Sequence, residues 1–428
     1  MLRRVLKFSL LILLAMLSAV GGVMASIAVS AMTIRPTLFM SAGVVAFVAI
    51  YGCGMLLSLY WKKKQGAKRR GYAELVPGAL VFLLFAVTLL VPPFDSRQGP
   101  RPVEGVQYWE LETGSRIGYV HLPAESTNGD DQKKFPVVHV HGGPGTPDMA
   151  GDADYFGQLT TEGYDVYVYD KVGTGYSERL DDPRQYTVER DVTDLEAIRK
   201  QIGAERLMLI SHSYGGTVVA NYMAEYGAHV EKAIFSSPGA VDPDDTSGGN
   251  LTSRLRTQEQ INLFRLLLYP RVLFTYTLLQ VNPQAAIAFA GDAEMDARFD
   301  KVYAQSESAL HCADKGPGPH LTGLGFYAHQ FPQSATAKQA PDPREALAGS
   351  KTPILIVKGG CDYLSWPHFL QSLENSMLVY LPQAGHNTYQ DEPALFMEVL
   401  QAYLAGEPLP VTPYEEAVPP QDYEGIVE

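Results

Sequence analysis

Cysteine is scarce in this chain, with three in 428 residues. That excludes a disulfide-built scaffold, and no CxxC pair or Cys/His cluster at zinc spacing occurs, so no metal is expected. Cys53 lies in an apolar run, whereas Cys312 and Cys361 would pair only if the fold brings them together; buried free thiols are the plainer reading. Acids are nearly absent from the amino-terminal part, where residues 1–94 hold only Glu74 against ten Lys and Arg. Bases are absent from the other end. The last 23 residues contain five prolines and six acids, the composition of an extended or disordered tail over 407–428. From residue 95 onward the balance is 24 bases to 46 acids, net −22, a sign that repels a phosphate backbone and excludes nucleic acid as a partner.

Charge is missing altogether from residues 8–34, 36–61 and 75–94. Each run is long enough to cross a hydrocarbon core of about 30 Å, which predicts three transmembrane helices within residues 1–94 and the lipid bilayer as a partner. The first run exceeds the ~7–15 apolar residues of a cleaved signal peptide. Arg3, Arg4 and Lys7 flank it, and six bases lie between Lys62 and Arg70, so the amino terminus and that loop belong on the cytoplasmic side. An odd number of crossings then places everything after Phe94 on the outer side. The spans contain no ionisable residue to suggest transport, which favours an anchoring role.

After a linker over 95–103, the body from 104 to 406 alternates strand and helix. Strands are expected near 106–111, 115–123, 135–140, 164–169, 206–210 and 230–235, with an amphipathic helix over Val188–Ile202. The pattern resumes with a strand over 353–357, a helix near 367–375, a strand over 377–381 and a helix near 392–405. This predicts an α/β fold with a mostly parallel sheet covered on both faces. The interruption at about 241–350 is too long for a loop and reads as an inserted helical cap. Within it Met295, Phe299, Val302, Tyr303 and Leu310 recur at helical spacing, a core pattern.

The chemistry-bearing residues follow strand ends. Ser211, His212, Ser213, Tyr214, Gly215 and Gly216 continue a strand into a helix, the setting of a nucleophile elbow with Ser213 at its tip and small neighbours two residues either side. His141 to Gly145 (HGGPG) follows another strand. Its Gly143 N–H, together with the Tyr214 N–H at a helix amino terminus, would form an oxyanion hole. Asp362 follows the strand over 353–357 and His386 the strand over 377–381, giving the order Ser, Asp, His of a catalytic triad, with Asp242 the reserve acid.

These motifs, with the turn from Asp170 through Lys171, Val172, Gly173, Thr174, Gly175 and Tyr176 to Ser177, resemble the α/β-hydrolases of the proline iminopeptidase type over roughly residues 104–406. Lys171 and Val172 stand where that family usually has Gln and Arg, and the membrane region is an addition. The resemblance implies a serine hydrolase working through an acyl-enzyme without a cofactor. An aminopeptidase releasing an N-terminal residue from short peptides is the leading expectation, with proline the residue the resemblance implies. An esterase or lipase acting on small acyl esters near the membrane is the alternative, and a catalytically silent binding domain a third. Glu294 and Asp296, at the start of a cap helix, are the candidate carboxylates for a substrate amine, although a solvated helix face also explains them.

Overall fold

The computed structural model describes residues 2–64, 75–92, 98–125, 134–245, 249, 251–334, 337 and 339–426. The basic stretch 65–70, positions 93 and 94 of the third apolar run and linker positions 95–97 lie outside the described residues. The chain divides into two compact units. One comprises Met1–Asp95, Arg265–Glu294 and Ser334–Thr336; the other holds Ser96–Phe264, Met295–Gln333 and Ala337–Glu428.

The first unit is helical. Phe8–Ser30 and Pro36–Tyr60, of 23 and 25 residues, are long and apolar enough to cross a membrane. The third run forms only Leu75–Leu90, 16 residues or about 24 Å at ~1.5 Å per residue, because Pro92 lacks the N–H and the free φ that another turn needs. The expected three full-length spans are therefore two long helices and a shorter one. Leu11, Ala15, Ala19, Phe47, Tyr51 and Met55 form the seam between them, with Phe82 and Phe85 packed against it. Outward positions such as Leu13, Leu17, Val45, Val48, Leu80 and Leu83 are exposed, the inverse of a water-soluble bundle.

The second unit is built on eight strands: β1 Gln107–Glu110, β2 Arg116–Leu122, β3 Val137–Val140, β4 Val166–Tyr169, β5 Leu207–His212, β6 Val230–Ser236, β7 Ile354–Gly359 and β8 Ser376–Leu381. Their order is β1-β2-β4-β3-β5-β6-β7-β8. β1 pairs antiparallel with β2, and β2 with β4; all later pairings are parallel. Burial on both faces explains why 207–210 of β5 and 354–357 of β7 read as unbroken apolar segments rather than alternating ones. Val188–Ile202 begins at the Thr187 N-cap and ends at Gly203 in the left-handed region, a stop that favours glycine.

Two expectations change in this unit. Cys312 and Cys361 form a disulfide, because the chain returns from residue 312 to the turn after β7. The acidic tail lacks regular secondary structure but is docked: Tyr414 N donates to Leu378 O on β8 (2.7 Å), and Trp366 N to Ile426 O (3.0 Å). Its aromatic rings supply the reason. Tyr414 and Tyr423 lie edge-on to Trp366, and burial of these rings offsets the cost of ordering a proline-rich segment.

Candidate active site

Ser213 stands between β5 and the helix Tyr214–Tyr226 with φ 52° and ψ −123°. A non-glycine residue there carries strain of about 1–3 kcal/mol. It is fixed by Ser213 N donating to Ser236 O (3.0 Å) and by Gly216 N and Gly239 N donating to Ser213 O (2.8 and 2.9 Å). Gly215 must lack a side chain, since a Cβ would strike Val140 O. Ser211 avoids that fate by turning its hydroxyl to Ile234 O (2.9 Å), which accounts for serine where glycine is usual.

The glycine loop comes directly over the elbow: a Cβ on Gly142 would stand 2.8 Å from Ser213 Cβ. The loop is held from behind. His329 Nδ1 donates to Gly143 O (2.7 Å), and Lys171 Nζ to His141 O (2.5 Å), while Lys171 N donates to His141 Nε2 (3.0 Å). Burial pushes Lys171 down to about 8, with Asp191 and Asp170 opposing, and pushes His329 down to about 4. The departure from the family turn at Lys171 thus serves the neighbouring loop. Its ammonium also lies 5.2 Å from the centroid of the Tyr214 ring.

At the ends of β7 and β8, His386 Nδ1 donates to Asp362 Oδ1 (2.9 Å). The other carboxylate oxygen accepts from Lys358 Nζ at 2.6 Å, and Leu364 N donates to Oδ1 (3.1 Å). Lys358 and Asp362 are both fully buried. Burial opposes the charge on Asp362, yet the Lys358 cation and His386 together hold its carboxyl far below the usual carboxylate range. The imidazole of His386 lies 4.9 Å, centroid to centroid, from the rings of His212 and Tyr363. His212, the residue before Ser213, is pushed well below the usual imidazole value by burial and then by His386. Asp242, the reserve acid, is taken by Arg344 (2.5 Å).

The two cap carboxylates are engaged elsewhere. Asp296 is fully buried, accepts from Arg179 Nη2 (3.0 Å) and from Phe326 N (2.9 Å), so it ties cap to sheet turn instead of facing a substrate. Glu294 lies in the first unit and takes both Arg271 Nε (2.6 Å) and Nη2 (2.8 Å). Neither sits on a solvated face. A residue missed in the sequence is Lys358: a lysine closing the apolar strand segment Ile354, Leu355, Ile356 and Val357 needs a buried carboxylate, and Asp362 four residues on is the nearest.

A second buried cluster, also missed, supports the His386 loop. His311 Nδ1 donates to Asp391 Oδ1 (2.5 Å) and Nε2 to Glu307 Oε1 (2.7 Å), while Asp391 Oδ2 accepts from Gly385 N (2.7 Å). Burial works against the charged ring, but the two carboxylates outweigh it and lift His311 to about 9 from 6.5. A raised folded-state value makes this contribution to stability complete below pH 6.5 and lost as pH rises through about 9, since the native state there binds more protons than the unfolded one. The gap in melting temperature between wild type and His311→Ala should accordingly narrow across that window; a gap that is constant with pH would contradict a charged His311.

Comparison with known proteins adds the following. A family model described as alpha/beta hydrolase fold matches residues 136–393. The abhydrolase domain-containing protein abhd-5.2 of Caenorhabditis elegans is 25% identical over 299 residues, covering 67% of this chain and 62% of that protein. A proline iminopeptidase of Lactobacillus delbrueckii subsp. bulgaricus is 26% identical over 323 residues, 69% of this chain and 97% of that protein. One from Saccharolobus solfataricus is 35% identical over 105 residues, 24% of this chain and 32% of that protein. The chain thus spans less than two thirds of the nematode protein and about a third of the archaeal one. Among solved structures, the proline iminopeptidase of Mycobacterium smegmatis aligns at TM-score 0.46 and 18% identity, over 70% of this chain and 98% of that one. The esterase EaEST of Exiguobacterium antarcticum aligns at 0.48 and 17%, over 70% and 99%.

Proposed function

This chain belongs to the alpha/beta hydrolase fold family, and from that premise we propose a membrane-anchored serine hydrolase that releases the N-terminal residue of short peptides through an acyl-enzyme. The observation that carries the serine-hydrolase reading is the strained Ser213 elbow lying beneath the glycine loop, with the ring of the preceding His212 4.9 Å from that of His386, which is hydrogen-bonded to Asp362. In this reading His386 Nε2 takes the Ser213 proton as Oγ attacks the substrate carbonyl. Asp362 orients the ring and balances its charge, and the N–H groups of Gly143 and Tyr214 receive the oxyanion. The proton then passes to the leaving amine, and water deacylates Ser213 by the same route. The glycine loop owes its position to His329 and Lys171.

The aminopeptidase assignment draws on similarity along 97% of a proline iminopeptidase and on the HGGPG loop. Esterase activity is the second reading, favoured by the engagement of Glu294 and Asp296 with Arg271 and Arg179, which takes away the two carboxylates first expected to meet a substrate amine. Rates on prolyl, alanyl and N-acetylated reporters of equal size separate the two. Acetylation is expected to lower kcat/KM by about 100-fold, as loss of a charge-paired ammonium would; an unchanged rate would give the site to esters.

For topology we retain three crossings, with the amino terminus inside and the catalytic unit outside. The basic flank supports this, and so does the Cys312–Cys361 disulfide, because such a bond persists in oxidising compartments. External protease is expected to degrade the catalytic unit in intact cells. A protected unit would mean two crossings and an inward-facing enzyme.

A further inference from the structure

Part of the cap belongs to the membrane unit. Residues 265–294 are inserted between β6 and β7 in the chain, yet they cluster with the amino-terminal helices. Two helices, Pro270–Val281 and Pro283–Phe289, form a hairpin turned at Asn282, which N-caps the second through Ala285 N. Helix carboxyl ends leave carbonyls without intrahelical partners, and this hairpin fills that need in two of the spans. Asn282 Nδ2 donates to Ser30 O (2.8 Å), on the last residue of Leu2–Ser30. Arg271 Nη1 donates to Leu89 O (2.9 Å), one residue from the end of Leu75–Leu90; a cation is favoured there by the helix dipole. Glu294 is the counter-ion that makes a buried arginine tolerable at this place, which explains its engagement. The remaining long helix is met near its start, where the Phe39 ring lies 6.4 Å from Phe274 and 6.1 Å from Phe289.

All three contacts lie at one end of the bundle. From Phe39 to Lys62 the helix Pro36–Lys64 rises by about 35 Å, so the hairpin is a bilayer's thickness from the Lys62 end of that helix. Its own inner face is closed by Val272, Phe274, Leu278 and Leu279, all buried. Leu273 and Val281 are exposed by 44% and 40%, eight residues apart on one face with Thr277 between them, and Leu268 just before the helix is exposed by 60%. This exposed apolar stripe belongs to the hairpin that meets the amino-terminal helices at Ser30 and Leu89.

Resting on the membrane reading above, we propose that the hairpin of Pro270–Val281 and Pro283–Phe289 is seated in the headgroup layer of the leaflet opposite the Lys62 end of Pro36–Lys64, with Leu273 and Val281 turned to lipid. The bilayer is then a partner of this hairpin as well as of the anchor, and the spans carry the hairpin at a fixed depth. Amphipathic helices with such a face settle about 5–10 Å into the boundary between headgroups and acyl chains.

The test uses the full chain with Cys53, an exposed free cysteine, replaced by serine. It is reconstituted in phosphatidylcholine vesicles containing lipids spin-labelled near the headgroup or near the chain end. An environment-sensitive fluorophore is placed in turn at Leu273→Cys, Leu83→Cys and Val418→Cys. At Leu273 the shallow label is expected to quench about twofold more than the deep one, at Leu83 the deep label more, and at Val418 neither. Strong deep quenching at Leu83 with none at Leu273 would overturn the hairpin proposal while leaving the anchor intact. Absence of quenching at Leu83 would remove the membrane reading and the proposal with it. A Leu273→Cys protein that is unquenched but crosslinks to itself would assign the stripe to a second copy of the chain.

Discussion

Ser213→Ala is expected to lower kcat by roughly four to six orders of magnitude, with the residual rate coming from the oxyanion donors and substrate binding. The substitution removes one hydroxyl from a position that is 8% exposed, and alanine accepts the elbow backbone no worse than serine does. The fold should therefore persist, and circular dichroism and melting temperature should match wild type. In the proposed mechanism Ser213, His386 and Asp362 act as one device, so Ser213→Ala combined with His386→Ala should be little worse than either alone. Retention of even a hundredth of the wild-type rate would mean that another nucleophile works here.

Lys358→Met is the second large effect, and it acts through Asp362. Removing the ammonium leaves a buried carboxylate oxygen that had a partner at 2.6 Å without one. Breaking one side of a fully buried pair costs about 3–5 kcal/mol, to be read from denaturant unfolding. The pH profile distinguishes a positioning residue from a merely structural one. With Lys358 present, a cation beside Asp362 opposes the positive charge that His386 acquires as it takes the serine proton. Without it that charge is easier to hold, so the acid limb of kcat/KM should move to higher pH. Lys358→Arg, which keeps the charge, should leave the limb in place whatever it costs in packing. A stability loss with an unmoved limb would reduce Lys358 to scaffolding.

Much of the catalytic unit is legible in the linear chain because its signals are local. Val188–Ile202 has both its cap residues in sequence, β5 and β7 announce themselves by short apolar runs, and Ser213, Asp362 and His386 each follow a strand end. What escapes is long-range. Nothing near Cys312 says that it will meet Cys361, since loop length alone does not set where two cysteines arrive. The tail's composition suggests disorder, but the composition does not register that Tyr414 and Tyr423 have Trp366 to pack on. Glu294 and Asp296 looked alike as neighbours at a helix start, yet one is claimed by Arg271 beside the spans and the other by Arg179 beside the sheet. The cap read as one insertion because amphipathic periodicity shows that a helix buries a face without naming what covers it. For Pro270–Val281 the cover includes the amino-terminal apolar helices.

Treating the protein with a fluorophosphonate, digesting it and locating the adduct by mass spectrometry decides whether Ser213 is the nucleophile. A single modified residue is expected, Ser213, protected by substrate and unlabelled when His386 is changed to alanine. Modification of a different serine, or labelling of Ser213→Ala at the wild-type rate, would contradict it.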